Sequence, residues 1–195
     1  MTKRLLMLSV FFLACACAQQ PSEEAASQEA PTTSEPPKST PERPIVVIET
    51  DSGRIVTEFY PEVAPITCDS ILSLVNQGFY NGLTFHRIVP NFVIQGGDPL
   101  GNGTGNAGWQ IPAEFSSRQH VAGTLSMARA PDDINSSSCQ FFICLTAVPH
   151  LDGQYNLFGQ VIEGMDVVHK LAGVPTGTMA RPLEPVTIRR MFENK

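Results

Sequence analysis

Residues 85–98 read FHRIVPNFVIQGGD, and this segment carries the strongest indication of the fold. Two short runs rich in β-branched and aromatic residues, 83–89 and 92–95, stand on either side of a Pro-Asn pair, and two glycines follow the second run. Short apolar runs bounded by proline, asparagine and glycine are typical of β-strands separated by turns. The segment therefore predicts two strands of a β-rich domain.

Other runs of the same kind predict the remaining strands at 45–50, 54–60, 124–128, 140–145, 157–161 and 186–192. A helix is predicted over 65–76, which has proline near its start and Gly78 just beyond its end, and another over 165–171. In the second helix Asp166 is early and Lys170 late, as the helix dipole prefers. Because strands dominate and no strand–helix–strand unit repeats, the sequence predicts a closed antiparallel β-barrel with two helices.

The N-terminus predicts export. Two basic residues precede an apolar run over 5–17, which is too short for an ordinary membrane-spanning helix of about 20 residues and is typical of a signal peptide. A small residue stands directly before Cys15 and before Cys17, which resembles a bacterial lipobox. That resemblance implies a signal peptide over 1–16 and lipidation of Cys17, with Cys15 as the alternative. A plain signal peptide with incidental cysteines is the other interpretation.

Residues 17–44 are rich in Pro, Ser and Glu and, beyond Cys17, contain no aromatic or branched aliphatic residue. Such a segment buries too little apolar surface to offset its ordering entropy, so it predicts a disordered tether. Residues 45–195 are long enough for one well-buried core and form the predicted domain. Ala18, rather than an aspartate, follows Cys17. The absence of aspartate after the lipidated cysteine resembles the signal for sorting to the outer membrane in bacteria with two membranes. We therefore expect a lipid anchor on its periplasmic side.

Several classes of function are disfavoured. The net charge is −6 and no basic cluster exists, which argues against nucleic acid as a partner. The glycines at 101–108 are not followed by Gly-Lys-Ser/Thr, so a phosphate-binding loop is rejected. The histidines show no paired spacing, and no metal is expected. Residues 136–139 and the Asp132-Asp133 pair look reactive, but they lack a nucleophile motif and fall in turn sequence.

The FHRIVPNFVIQGGD segment is followed by GNGTG at 101–105, LSMA at 125–128, QFFI at 140–143 and LDG at 151–153. Together these motifs closely resemble the cyclophilin family of peptidyl-prolyl cis-trans isomerases, and the resemblance extends over essentially all of 45–195. It implies a mainly β fold, an eight-stranded antiparallel closed barrel capped by two α-helices, with an active groove on the outside. It also implies proline-containing polypeptides as partners and no cofactor.

The residue types suit that chemistry. Rotation about an X-Pro bond breaks no covalent bond but faces a barrier of about 20 kcal/mol. An apolar pocket for the proline ring and a fixed donor that favours the twisted amide are sufficient. The resemblance makes Arg87 the catalytic arginine, which donates toward the prolyl amide nitrogen as the amide twists. An ordinary surface salt bridge is the alternative for this arginine.

The resemblance also assigns the substrate-binding residues, which are Phe92, Val93, Gln95, Gly103, Ala128, Arg129, Gln140, Phe142, His150, Leu151 and Tyr155. Its proline pocket is apolar and includes Phe92, Phe142 and Leu151. Its two glutamines hold the substrate backbone and orient the arginine, while Ala128 and Arg129 form the rim beside the preceding peptide residue.

Two residues depart from the pattern of many eukaryotic relatives. His150 stands where they have the tryptophan associated with strong cyclosporin binding, and Tyr155 where they have a histidine that contacts substrate. His86 and Cys139 are interpreted as buried structural residues, although a redox-sensitive thiol is the alternative for Cys139. The leading hypothesis is a monomeric, membrane-tethered isomerase that assists folding of exported proteins. The alternative is a proline-peptide binding module or holdase with incidental turnover.

Overall fold

A computed structural model describes residues 42–195. The predicted signal peptide, Cys15, Cys17 and most of the predicted tether lie outside these residues. The strands are β1 (Ile45–Thr50), β2 (Gly53–Phe59), β3 (Arg87–Val89), β4 (Val93–Gly96), β5 (Thr124–Met127), β6 (Phe141–Cys144), β7 (Leu157–Glu163) and β8 (Ile188–Glu193). The helices are α1 (Pro65–Asn76) and α2 (Met165–Ala172), and single 3-10 turns occur at Pro149–Leu151 and Thr178–Ala180.

All eight strands belong to one sheet with the order β3-β4-β6-β5-β7-β2-β1-β8. Every paired neighbour is antiparallel. The predicted mainly β fold, with eight antiparallel strands and two helices, is confirmed. The ends of β3 and β4 differ most from the prediction, because residues 83–86 precede β3 as irregular chain rather than as strand.

The predicted closure of the barrel is not matched, because the sheet curls but its end strands β3 and β8 do not form a ladder with each other. The chain before β3 meets the chain before β8 through an isolated bridge between Thr84 and Thr187. The Phe85 N–H also donates to the Val186 carbonyl at 2.8 Å. The Ile188 N–H donates to the Leu83 carbonyl at 2.8 Å, so the two ends touch over a few residues without forming a regular ladder.

Side chains from the sheet and both helices share one main core. Phe59 on β2 and Phe158 on β7 are fully buried, and their rings meet edge to face with centroids 5.1 Å apart. Ile71 of α1 and Val168 of α2 lie in the same apolar cluster. The helices therefore cover the inner face of the curled sheet, and its outer face is left for other contacts.

The N-terminus of α1 is capped from a distant part of the chain. Ala64 at the cap position offers no side-chain acceptor, and Pro65 occupies the first turn. The Glu114 carboxylate accepts from the backbone N–H groups of Ile66 at 2.9 Å and of Thr67 at 2.7 Å. A carboxylate at this end of a helix satisfies free N–H groups and complements the helix dipole. Residues 65–76 are thereby fixed to the loop that precedes β5.

Candidate active site

Strand register places three predicted site residues in one row. Arg87 on β3 pairs with Gln95 on β4, and Gln95 pairs with Phe142 on β6. Their sequence neighbours Ile88, Ile94 and Phe141 are fully buried in the main core. Because successive side chains on a strand point to opposite faces, the row lies on the outer face of the sheet. Phe142 therefore faces outward, on the same side of the sheet as Arg87 and Gln95.

A second apolar cluster covers this outer face, separate from the main core. Its buried members are Val93, Phe142, Cys144, Val148 and Leu151, with Phe92, Ala128 and Tyr155 packed against them. The cluster borders a cavity of about 320 Å³ that is open to solvent, hereafter the proline pocket. The predicted residues in its lining are Arg87, Phe92, Val93, Gln95, Ala128, Arg129, Phe142, Leu151 and Tyr155.

An adjoining cavity of about 400 Å³ shares Gln95, Ala128 and Arg129 with the proline pocket and adds Gly103 and Gln140. Ten of the eleven predicted substrate-binding residues, together with Arg87, therefore line one of two connected cavities. Sequence reasoning did not select Pro131, which lines both. No motif marks Pro131, because it belongs to an irregular loop whose path depends on tertiary contacts.

A chain of hydrogen bonds fixes the orientation of Arg87. Its guanidinium donates to Gln95 Oε1 at 3.3 Å, Gln95 Nε2 donates to Gln140 Oε1 at 3.0 Å, and Gln140 Nε2 donates to the carbonyls of Gly103 and Gly105 at 3.1 and 2.8 Å. A guanidinium only donates, so each amide in the chain has one possible orientation. Arg87 forms no ion pair with any carboxylate in residues 42–195, which disfavours the surface salt bridge considered above.

The glycine-rich loop that ends this chain is organised by Asp98, whose side chain accepts hydrogen bonds from the N–H groups of Leu100, Asn102 and Gly103. Burial raises the pKa of the Asp98 carboxyl, but the three N–H donors outweigh it and hold that pKa below the ordinary 3.8. A Cβ on Gly105 would overlap Asp98 Oδ1, so only glycine fits there. The loop therefore presents its carbonyls to Gln140 in a fixed geometry.

Arg129 is held across one wall of the proline pocket. Its guanidinium lies 4.7 Å from the centroid of the Tyr155 ring, a cation–π distance. It also donates to the carbonyls of Gln154 at 3.0 Å and Ala130 at 2.8 Å. Arg129 thereby joins the loop after β5 to the loop after the 3-10 turn at Pro149–Leu151. It forms the rim between the two cavities.

His150 lies at the edge of the site rather than in its lining. Its imidazole is exposed and stacks on Phe92, with centroids 5.6 Å apart and an angle of 20° between the planes. The proline pocket itself is bounded by Phe92, not by His150. A larger ring at position 150 would therefore extend the apolar surface beside the pocket.

A Ser-His-Asp arrangement lies behind Phe142, and sequence reasoning missed it. His120 Nδ1 is 2.9 Å from Asp152 Oδ1, and His120 Nε2 is 3.1 Å from Ser126 Oγ. The His120 ring stacks on the Phe142 ring with centroids 6.2 Å apart. Asp152 is 32 residues from His120, and the three residues match no motif, so only the fold reveals the arrangement.

Burial decides the role of this arrangement. It lowers the pKa of His120, although hydrogen bonding to Asp152 opposes the shift. The Ser126 hydroxyl beside Nε2 donates to the Asn156 carbonyl at 2.9 Å, so its hydrogen is already engaged. Ser126 is fully buried, so no substrate carbonyl reaches it. The arrangement is therefore a support that fixes the position of Phe142 and not a nucleophilic site.

The cysteines and the other buried histidine behave as structural residues. Cys68, Cys139 and Cys144 are buried free thiols. Burial raises the pKa of Cys139 to about 11 and the pKa of the other two to about 12, so thiolate chemistry is suppressed near neutral pH. This supports the structural interpretation of Cys139. His86 is only 7% exposed, which agrees with its interpretation as a buried residue.

Within residues 42–195, no three His, Cys, Asp or Glu side chains are grouped in a way that a metal ion would need. In the same part of the chain, neither helix has the length and apolar character to cross a membrane.

Comparison with known proteins gives one family. The family model described as "Cyclophilin type peptidyl-prolyl cis-trans isomerase/CLD" matches residues 45–193. The chain is 43% identical over 148 residues to peptidyl-prolyl cis-trans isomerase ppi1 of Schizosaccharomyces pombe, covering 73% of this chain and 94% of that protein. It is 46% identical over 127 residues to a peptidyl-prolyl cis-trans isomerase of Synechococcus elongatus, covering 64% and 86%.

Among solved structures, the fold matches a Cryptosporidium parvum cyclophilin type isomerase crystallised in the presence of the dipeptide Ala-Pro. The TM-score is 0.74 at 31% identity, with 77% of this chain and 99% of that chain covered. With its outer-face pocket and its arginine, the chain belongs to the cyclophilin-type peptidyl-prolyl cis-trans isomerases.

Proposed function

We propose that this protein is a lipid-anchored peptidyl-prolyl cis-trans isomerase that accelerates X-Pro rotation in exported polypeptides and so assists their folding. The observation that carries the catalytic part is the oriented Arg87 guanidinium beside an apolar pocket. The pocket accepts a pyrrolidine ring between Phe92, Phe142 and Leu151. Arg87 lies at its edge with its direction set by Gln95.

The reaction requires no group transfer. Planar cis and trans amides delocalise the nitrogen lone pair, whereas the twisted amide at the barrier localises it on nitrogen. A donor that points at that nitrogen binds the twisted form better than either planar isomer, and only such differential binding accelerates rotation. Arg87 supplies the donor, and Gln95 and Gln140 prevent it from turning away. Binding of the proline ring holds one side of the bond while the preceding residue rotates.

A proline-isomerisation assay on the mature chain tests this function. We expect turnover well above the uncatalysed rate for peptides that contain X-Pro. Turnover no faster than the uncatalysed rate, with peptide still bound, would contradict the enzyme function and favour a binding module or holdase. The same chain measured by light scattering would then show whether unfolded clients are held.

The anchor and the location form the second part of the proposal. The apolar run, the two cysteines preceded by small residues and the polar segment that follows support a signal peptide over 1–16, a lipid on Cys17 or Cys15 and a tether over 17–44. The tether would hold the domain, as a monomer, at the periplasmic side of the outer membrane. The last residues of this segment contact the domain. The Arg43 guanidinium donates to the Glu58 carboxylate at 2.9 Å, and the Pro44 carbonyl accepts from the Phe59 N–H at 2.9 Å.

Mass spectrometry of the mature N-terminus tests the anchor. A diacylglyceryl-modified cysteine at position 17 or 15 is expected, and Cys17→Ser and Cys15→Ser variants identify which one carries it. An unmodified N-terminus would contradict the tether without affecting the enzyme function. Cell fractionation and sedimentation of the mature chain then test the outer-membrane location and the monomeric state.

A further inference from the structure

Another cavity, of about 330 Å³, borders the site on the side of Arg87 away from Ala128. It shares Arg87, Gln95 and Gly103 with the two cavities described above, and its remaining lining includes His86, Met179 and Arg181. We refer to it as the arginine cavity. A peptide bound in the proline pocket would therefore pass close to its mouth.

The two arginines of this cavity lack acidic partners within residues 42–195. The arginines that do pair with a described carboxylate are Arg43, Arg54, Arg118, Arg189 and Arg190. Arg129 donates to backbone carbonyls instead. Arg87 is engaged by Gln95, so Arg181, which is exposed, has the guanidinium available to a ligand.

His86 forms part of the wall of the cavity. It is only 7% exposed, and both of its ring nitrogens are buried, without a hydrogen bond of ordinary geometry among the described residues. The ring therefore responds to charge that enters the cavity, although its nitrogens are not open to a ligand.

The only carboxylate that acts on His86 from the surrounding elements is Asp98, and it does not neutralise the cavity. Burial lowers the pKa of His86, and the charges of Arg181 and Arg87 lower it further, whereas Asp98 and the Thr84 backbone oppose them. The Asp98 oxygens are occupied by backbone N–H groups of the glycine-rich loop. The two guanidiniums of the cavity therefore face one carboxylate that is already bonded.

The backbone that carries Arg181 is held in an unusual conformation. Met179 and Ala180 both adopt left-handed φ angles, of 58° and 59°, which non-glycine residues rarely do. The Met179 side chain is 89% exposed at the rim. Sparsely populated backbone conformations persist mainly where the surrounding structure imposes them, and they concentrate at ligand sites.

We propose that the arginine cavity binds an acidic side chain of the client polypeptide, at a position close to the isomerised proline. Arg181 supplies the charge that attracts the carboxylate. This inference rests on the proposed isomerase function, because the acidic residue is delivered by a peptide whose proline lies in the neighbouring pocket. It makes the enzyme selective for clients with a carboxylate near the proline.

The test compares glutamate with glutamine, which has the same shape without the charge. A series of proline peptides carries one glutamate at each flanking position in turn, and each is matched by its glutamine counterpart. At one position or more, kcat/KM for the glutamate peptide should exceed that of its counterpart by about three- to fivefold at low salt. The ratio should fall toward one at high ionic strength, because the Debye length shrinks to about 3 Å at 1 M.

Arg181→Gln should bring the ratio close to one, whereas Lys170→Gln should preserve it. Lys170 is a matched control because it is exposed on α2 and pairs with no carboxylate in residues 42–195. In NMR titrations, the glutamate peptide should raise the pKa of His86 more than the glutamine peptide does at equal saturation. If Arg181 had only a structural role, Arg181→Gln would leave this difference between the two peptides unchanged.

Ratios near one at every position would overturn the proposal, and so would an equal loss of selectivity in Arg181→Gln and Lys170→Gln. Turnover of the glutamine peptides reports separately on the isomerase function. If none of these peptides were isomerised, the proposed isomerase function would be contradicted. The acidic preference would still be decided by the ratio of the dissociation constants of the glutamate and glutamine peptides.

Discussion

Arg87 illustrates how one residue acquires a function from its neighbours. An exposed arginine is mobile and contributes little, but this one is half-buried and donates to Gln95, which is itself fixed by Gln140. The free energy of ordering the side chain is therefore spent during folding and not during each catalytic cycle. Catalysis at this site depends on the direction of the Arg87 guanidinium as much as on its charge.

We expect Arg87→Ala to lower kcat/KM by at least about tenfold, because loss of one charge-assisted donor costs about 1.5–3 kcal/mol. Arg87→Lys should restore little, since an ammonium cannot reproduce the planar fork. The measurement is proline isomerisation together with the melting temperature. Arg54→Ala, which removes an exposed arginine from β2, is the control. Near-normal turnover of a stable Arg87→Ala protein would show that another group stabilises the twisted amide.

His150 sets a second prediction, which concerns cyclosporin. The imidazole stacks on Phe92 but offers less apolar surface than an indole. We expect weak inhibition of this protein, and we expect His150→Trp to strengthen it about tenfold, or about 1.4 kcal/mol, with little change in turnover. Inhibition constants for both proteins decide the matter. Tight inhibition of the unchanged protein, or no gain with tryptophan, would refute control by this residue.

At the scale of elements, Glu114 shows that a helix can depend on a loop far away in sequence. The first turn of α1 contains no acidic residue, and its free N–H groups bond instead to Glu114. The side chain of Asn156 adds a second connection. Its Nδ2 donates to the Thr67 hydroxyl at 3.1 Å, and its Oδ1 accepts from the Glu114 backbone N–H at 2.7 Å. The start of α1, the loop before β5 and the start of β7 therefore form one unit.

Glu114→Gln should lower the free energy of unfolding by about 1–2 kcal/mol, because one N–H loses its acceptor and the helix dipole loses a charge. Chemical denaturation measures the change. Glu184→Gln, at an exposed carboxylate without a hydrogen bond to residues 42–195, should change stability by less than about 0.5 kcal/mol. Equal effects of the two substitutions would show that the cap does not stabilise α1.

At the scale of the whole molecule, buried histidines link stability to pH. Burial lowers the pKa of His86 and of His120 below the ordinary 6.5, so the folded protein keeps both rings neutral where the unfolded chain takes up protons. Below about pH 6.5 the unfolded state therefore binds more protons than the folded state. Because stability rises with pH wherever that is true, it falls as pH drops through this range.

We expect the free energy of unfolding to fall from pH 7 toward pH 5, by at most about 1.4 kcal/mol per pH unit for each histidine. Denaturation at a series of pH values measures the slope. His86→Phe should make the slope shallower, because one of the two groups no longer titrates. A slope unchanged by that substitution, or stability that rises on acidification, would contradict the assignment of neutral buried rings.

The strands and helices were largely predictable, because each depends on local patterns that one stretch of sequence contains. Residues 65–76 matched α1 in full, and the predicted strands overlapped all eight of those observed. The segment FHRIVPNFVIQGGD and the later motifs identified Arg87 and the proline pocket through resemblance to a family. The exact ends of β3, and the openness of the sheet beside it, depend on pairing with chain that is distant in sequence.

The sequence by itself determined the strand and helix segments, and it selected most of the residues that line the two connected cavities. Only the tertiary structure decided the hydrogen-bond chain from Gly105 to Arg87, the support of Phe142 by His120, and the cavity beside Arg181. The physical reason is the distance along the sequence between the residues that interact. Alternation and turn chemistry act between neighbours, whereas these contacts join residues that become neighbours only after the whole sheet has selected its register.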